Sequence, residues 1–179
     1  KMSDVINPDD FIITRKRKKY KFAKFAGAAN CFEMEDWLAA RADILSASPA
    51  ALCVELGAGT GLFSVELARR HPENIYMAID VKADRLQKGA YRAIEENLNN
   101  VYFLRARADQ ITELFGAASL SQLWLTFADP FPKRRSSGRR MTHPNFLKKY
   151  QAVLRRADAP RNRDDVKDNP SHPGPCRKS

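Results

Sequence analysis

LCVELGAGTG, at residues 52–61, is an apolar run that meets a carboxylate and then three glycines at alternate positions, Gly57, Gly59 and Gly61. A chain leaving a strand in a sharp turn, with its backbone open to a ligand, needs glycine there, because a Cβ atom would block both. The spacing also selects among nucleotide ligands. A G-x-G-x-x-G dinucleotide fingerprint would place its third glycine at position 62, which is leucine here. Glu55 points the same way: a carboxylate beside the turn repels phosphate and attracts a cation or a hydroxyl or ammonium donor. S-adenosylmethionine presents all of these. The plainer alternative is a glycine-rich turn in which Glu55 caps the helix that follows.

The next apolar run strengthens the cofactor reading. IYMAID, at 75–80, ends in Asp80, and an acidic residue at the tip of the second strand of an open parallel sheet can hydrogen-bond both ribose hydroxyls. Between the two runs, 61–70 carries an apolar stripe at helical spacing. Helices are expected again over 82–97 and near 111–115, and strands over 101–105 and 122–127. Alternation of strand and helix predicts right-handed crossovers and an α/β, doubly wound, mostly parallel sheet. Ligands in such sheets sit beyond the carboxyl ends of the strands, where Glu55, Asp80, 107–109 and Asp129 all fall.

With 179 residues and 44% apolar composition, the chain has material for one core. No apolar run approaches the roughly 18 residues of a membrane span, and the first ten residues are polar, so a cytoplasmic protein is expected. The three cysteines, Cys31, Cys53 and Cys176, form no C-x-x-C pair. Cys53 reads as core packing, and neither a disulfide frame nor a metal site is expected.

Charge adds a partner. The formal net charge is +10 and the pI about 9.7, with the excess in two blocks. Arg15, Lys16, Arg17, Lys18, Lys19, Lys21 and Lys24 form the first, and Lys133, Arg134, Arg135, Arg139 and Arg140 the second. Blocks of this kind suit a polyanion, although a charge run is also an ordinary solvated face. Tyr20, Phe22 and Phe25 interleave with the first block and either pack on the body or stack on bases. The second block follows FADPFPK at 127–133. Its prolines stop the strand and stiffen the loop, holding Asp129 at the cleft with cations just beyond it.

VELGAGTG at 54–61, AID at 78–80 and FADPFPKRRSSGRRMTHPNFL at 127–147 together resemble the tRNA (guanine-N7)-methyltransferase family, a class I S-adenosylmethionine-dependent group with a Rossmann-like fold. The third segment is similar to that family's DPWPK stretch, with Phe131 in place of its tryptophan. The likeness covers about 52–156, and the basic arm before Gly27 is similar as well. It implies S-adenosylmethionine as cofactor, tRNA as partner and methyl transfer to guanine N7. Glu55, Gly57, Gly59, Asp80 and Asp129 would lie at or beside the cofactor. Arg107 and Ala108 would meet its adenine through the main chain, with Asp109 as the alternative. Lys133 would contact substrate, and Arg135, Arg139 and Arg140 would face the RNA.

The chemistry fits those residue types. Guanine N7 carries a lone pair and no proton, so attack needs no general base. Asp129 is assigned the role of accepting the guanine N1 and N2 hydrogens and favouring the positive purine that forms.

The resemblance also implies further strands after 156, whereas 157–179 is proline-rich, polar and aperiodic. The expected organisation is a basic arm over 1–30, a cofactor-binding domain over 31–156 with a sheet of about four strands, and a disordered tail over 157–179. A chain of that kind is expected to be poorly stable, and an inactive RNA-binding remnant or a methyltransferase of another substrate class are the rival readings. His71 and His143 read as helix-end residues, Trp37 and Trp124 as packing, and Asp84 and Arg85 as a solvated helix face.

Overall fold

The structure, a computed structural model, describes residues 15–47, 49–126, 138 and 140–156, with 15–18 as backbone. Strands β2 (Leu52–Leu56), β3 (Ile75–Asp80), β4 (Val101–Arg105) and β5 (Gln122–Leu125) lie where the apolar runs place them. A fifth strand, β1 (Cys31–Glu33), pairs in parallel with β4, Phe32 opposite Leu104. All pairings are parallel, in the order β1-β4-β3-β2-β5.

Parallel strands covered on both faces read as unbroken apolar runs because neither set of alternating side chains meets water. All five residues of β2 and the first five of β3 are buried. Leu52, Val54, Leu56, Ile75, Met77 and Ile79 face one core with Trp37, Leu104, Ile111 and Tyr150. Cys53, Tyr76 and Ala78 face the other, with Phe25, Val65, Ala68, Leu86, Ala90 and Phe103. Helices α3 (Leu62–Arg70) and α4 (Ala83–Glu95) supply the second face, and α2 (Met34–Leu45), the short α5 (Ile111–Leu114) and α6 (Pro144–Val153) the first. Burial pushes the Cys53 thiol up to about 11, as expected of a packing cysteine.

The basic segment before Gly27 holds a helix, α1 (Arg15–Gly27), that lies on α4. Phe25 is its buried anchor, at 1% exposure. Tyr91 of α4 donates its hydroxyl to the Lys24 carbonyl at 3.3 Å, while the Lys24 ammonium sits 4.8 Å from the centre of the Tyr91 ring. Tyr20 and Phe22 remain exposed, Phe22 with the Arg105 guanidinium 5.1 Å from its ring centre. Trp37 is fully buried and donates its indole N–H to the Leu114 carbonyl at 3.0 Å. Among the described residues, no helix is long and apolar enough to cross a membrane.

The chain leaves β2 for β3 and β4 on one side, then returns to β5 on the other. The carboxyl ends of β2 and its two neighbours therefore border the crevice where open α/β sheets take ligands.

Candidate functional site

Gly57, Gly59 and Gly61 all have left-handed backbones, with φ of 70°, 58° and 70°. The turn out of β2 thus depends on glycine at each alternate position. Gly61 has a second reason: a Cβ there would stand 2.6 Å from Phe103 Cε1 and 3.1 Å from Ala78 Cβ. The turn rests on α4 through Gly89, whose N–H donates to the Thr60 carbonyl at 3.0 Å.

Asp80 closes β3 and is tied to this turn. Its Oδ2 accepts the Gly59 N–H at 2.9 Å, and its Oδ1 accepts the Lys82 N–H at 2.9 Å. Each oxygen keeps acceptor capacity, which suits a pair of hydroxyls. Asp80 lines a cavity of about 110 Å³ with Gly57, Ile79, Val81, Arg85, Ala108 and Met141 among its walls. A second cavity of about 380 Å³, between Glu33, Met34, Arg105, Arg107 and Gln110, adjoins it through Val81 and Ala106. Together they reach the scale of small-molecule sites, roughly 300–1,000 Å³. Apolar Ile79, Val81, Ala106 and Ala108 offer a wall for a purine beside a carboxylate for its ribose. The residues present fit an adenosine-bearing cofactor.

Glu55 lies behind the turn. It is 1% exposed and packs toward α3, where Ser64 donates its hydroxyl to Oε2 at 2.6 Å. The Thr126 hydroxyl, at the end of β5, stands 2.9 Å from Glu55 Oε1 and 3.0 Å from the Gly57 carbonyl oxygen. Burial raises the Glu55 pKa, against the opposing pull of these two hydroxyls. The carboxylate thereby braces β2, α3 and β5 around the glycine turn, and it also accepts the backbone N–H of Ser64 in the first turn of α3, whose N-cap, Gly61, has no side chain to supply a cap.

At the tip of β4, Arg107 and Asp109 are bound to each other, the Arg107 guanidinium donating through Nε to Asp109 Oδ1 at 2.9 Å and through a second nitrogen to Oδ2. That hydrogen-bonded guanidinium holds the Asp109 carboxyl below its usual range. Ala108, between them, lines the cavity with Asp80, while Arg107 lines the neighbouring one. The two residues offered as alternatives from the sequence are therefore one unit, with the small residue between them turned to the site.

Asp129, Lys133, Arg135 and Arg139 lie outside the described residues. Arg140 opens the turn into α6, its carbonyl accepting the His143 N–H at 2.9 Å, and His143 Nδ1 in turn accepts from the Asn145 N–H at 3.3 Å as the helix cap. Met141 reaches the cavity wall. Arg85, read from the sequence as solvated surface with Asp84, is exposed and also lines the cavity. Its position one turn into the helix after Asp80 was the available signal. Ser64 and Thr126 carried none, since lone hydroxyls at strand and helix ends are common. Among the described residues, no group of three or more His, Cys, Asp or Glu is placed to hold a metal ion.

Comparison with known proteins gives relatives in sequence and in fold. The tRNA (guanine-N(7)-)-methyltransferase of Christiangramia forsetii is 39% identical over 104 residues, 58% of this chain and 46% of that protein. The enzyme of the same name from Clostridioides difficile is 42% identical over 101 residues, 56% of this chain and 47% of that one. The chain spans about half the length of the curated relatives it matches. Among solved structures, the antibiotic-resistance methyltransferase Kmr superposes with a TM-score of 0.52 at 21% identity, covering 64% of this chain and 60% of its own. The 16S rRNA methyltransferase KamB gives 0.52 at 22%, covering 65% and 53%. These two likenesses concern the fold, a class I methyltransferase sheet. Residues 49–168 match the family described as "Putative methyltransferase", and the chain belongs to that methyltransferase family.

Proposed function

We propose that this chain transfers a methyl group from S-adenosylmethionine to N7 of a guanine in tRNA. The observation that carries the cofactor half is Asp80, anchored by the Gly59 and Lys82 amides with acceptor capacity facing a cavity walled by Val81, Ala106 and Ala108. The names of the relatives support the acceptor half, as do the two basic blocks. Such a reaction belongs in the cytoplasm, where tRNA is.

In this reading Gly57 and Gly59 let the donor lie against main chain, Asp80 takes the ribose hydroxyls, and the main chain of Arg107 and Ala108 borders the adenine. Glu55 acts from behind, holding the turn through Ser64 and Thr126. When bound, the donor supplies a sulfonium-activated methyl carbon. The protein's task is alignment, because in-line displacement needs acceptor nitrogen and methyl carbon held at about 3–3.5 Å. Asp129 orients the guanine by accepting its N1 and N2 hydrogens, Lys133 contacts the substrate, and Arg135, Arg139 and Arg140 hold the RNA backbone. Residues 31–156 form the catalytic unit, and the basic stretch within 1–30 extends the RNA surface. An RNA loop suits the site better than a duplex, since the base must leave its stack.

The test is single-turnover methylation of unmodified tRNA with Asp129→Asn. A fall of about a hundredfold is expected, in line with the loss of one preorganised polar contact to the charge-developing group. A rate close to wild type removes Asp129 from this role. Absence of saturable S-adenosylmethionine binding by the wild-type chain would overturn the cofactor reading itself.

A further inference from the structure

The turn at 107–110 puts Ala108 on the cavity wall, yet most of its hydrogen bonds are internal. Gln110 N donates to the Arg107 carbonyl at 3.1 Å, Arg107 N donates to Gln110 Oε1 at 2.9 Å, and Arg107 pairs with Asp109. Helix α6 reaches it from outside. The Lys149 ammonium donates to the Asp109 carbonyl at 2.6 Å, a short, half-buried, charge-assisted contact of the kind that is roughly twice as strong as a neutral one. Gln110 adds a weaker tie, its Nε2 lying 3.1 Å from Met34 Sδ.

The helix is well placed to act as the fixed end. Tyr150 is 4% exposed and Val153 1%, and the chain at its end is stitched to the segment before β5 by Leu120 N–H to the Val153 carbonyl, 2.9 Å, and Arg155 N–H to the Leu120 carbonyl, 2.8 Å. Its neighbour in sequence, Lys148, is exposed and lines a different groove, with Leu123 and Leu147. Met141, three residues before α6, lies on the same cavity wall as Ala108. One helix therefore anchors two walls of the site.

We propose that Lys149 is a positioning residue for the methyl donor: from α6 its ammonium grips the Asp109 carbonyl and sets the 107–110 turn against which the adenosine packs. The role rests on reading the Asp80 cavity as the S-adenosylmethionine site. Lys149 touches neither donor nor RNA in it; it acts through the turn.

The experiment uses the full chain and its Lys149→Met, Lys149→Arg and Lys148→Met variants. Calorimetric titration with S-adenosylmethionine is expected to give about tenfold weaker binding for K149M, recovery toward wild type for K149R, and no change for K148M. Hydrogen exchange in the absence of donor is expected to speed up at the amides of 107–111 in K149M alone. Equilibrium tRNA binding at fixed salt reads a general loss of fold, and it should stay the same in all three. If K149M does not fold, K149Q takes its place, with the same expectation. Wild-type affinity and wild-type exchange in K149M overturn the role of Lys149 while leaving the cofactor site intact. A wild-type chain that binds no donor overturns the cofactor reading, and this role with it.

Discussion

Gly89→Ala puts the packing of the glycine turn to a test in which two effects have opposite sign. Gly89 lies inside α4, where alanine ordinarily stabilises a helix by about 0.8–1 kcal/mol. Here the added Cβ would stand 2.3 Å from the Thr60 carbonyl oxygen and 2.7 Å from Phe103 Cε1. The first neighbour is backbone in the turn that holds Gly59 and Gly61, so no side-chain rotation relieves it; α4 and the turn must move apart, stretching the Gly89 N–H bond to Thr60. Overpacking of this sort costs about 1–3 kcal/mol, and a clash with main chain belongs at the upper end. The net is a loss of about 2 kcal/mol, or roughly 4–8 °C in Tm for a chain of this length. Thermal unfolding followed by circular dichroism reads it directly. Gly116→Ala is the control: nothing lies within 4 Å of its Cβ position, and it should change stability by no more than about 0.5 kcal/mol. A Gly89→Ala protein that melts at or above wild type would refute the packing account of this glycine.

Asp80→Ala removes the proposed acceptor for both ribose hydroxyls and leaves the Gly59 amide without its partner. Hydrogen bonds to a charged group are worth about 1.5–3 kcal/mol each, so losing two should lower donor affinity measured by calorimetry at least about a hundredfold, and undiminished affinity would remove Asp80 from the site. Glu55 gives a pH signature. Its folded pKa lies above the ordinary 4.5, so the folded chain keeps a proton that the unfolded chain releases. The group's contribution is therefore greatest below about 4.5 and is lost as pH rises through the raised folded value. Glu55→Gln carries no such proton, and Tm measured from pH 4 to 7 should fall less with rising pH in the variant; parallel curves would show that Glu55 does not titrate in the fold.

Much of the sheet was legible because parallel strands with both faces covered leave continuous apolar runs, and Leu52–Leu56 and Ile75–Asp80 are such runs. The first forty-five residues were harder to read for physical reasons. β1 is three residues long, too short for any alternation to register, and α1 hides a buried anchor, Phe25, among seven lysines and arginines. Trp37 was rightly read as packing, but its helix, MEDWLAARADIL, spreads small and charged residues around its faces. Within the site, the glycines and Asp80 announced themselves through spacing. Glu55 was legible as a carboxylate beside the turn and the start of the helix, but its burial was not, because which way a strand residue faces beyond β2 depends on partners outside the strand, Ser64 and Thr126. Gly89, inside α4, carries no signal of its role in the sequence. Its reason, a carbonyl from the turn pressed against it, exists only in three dimensions.

The stretch between Thr126 and Arg140 is framed by two firm abutments. Thr126 donates its N–H to the Leu56 carbonyl at 3.1 Å and its hydroxyl meets Glu55 and Gly57, while beyond Arg140 the chain passes into α6, pinned to Asp109 and Leu120. Each abutment is held by contacts with the sheet or with the 107–110 turn. If that stretch selects the acceptor, as proposed, grafting it from one member of the family into another between these fixed ends is a practical way to exchange acceptors.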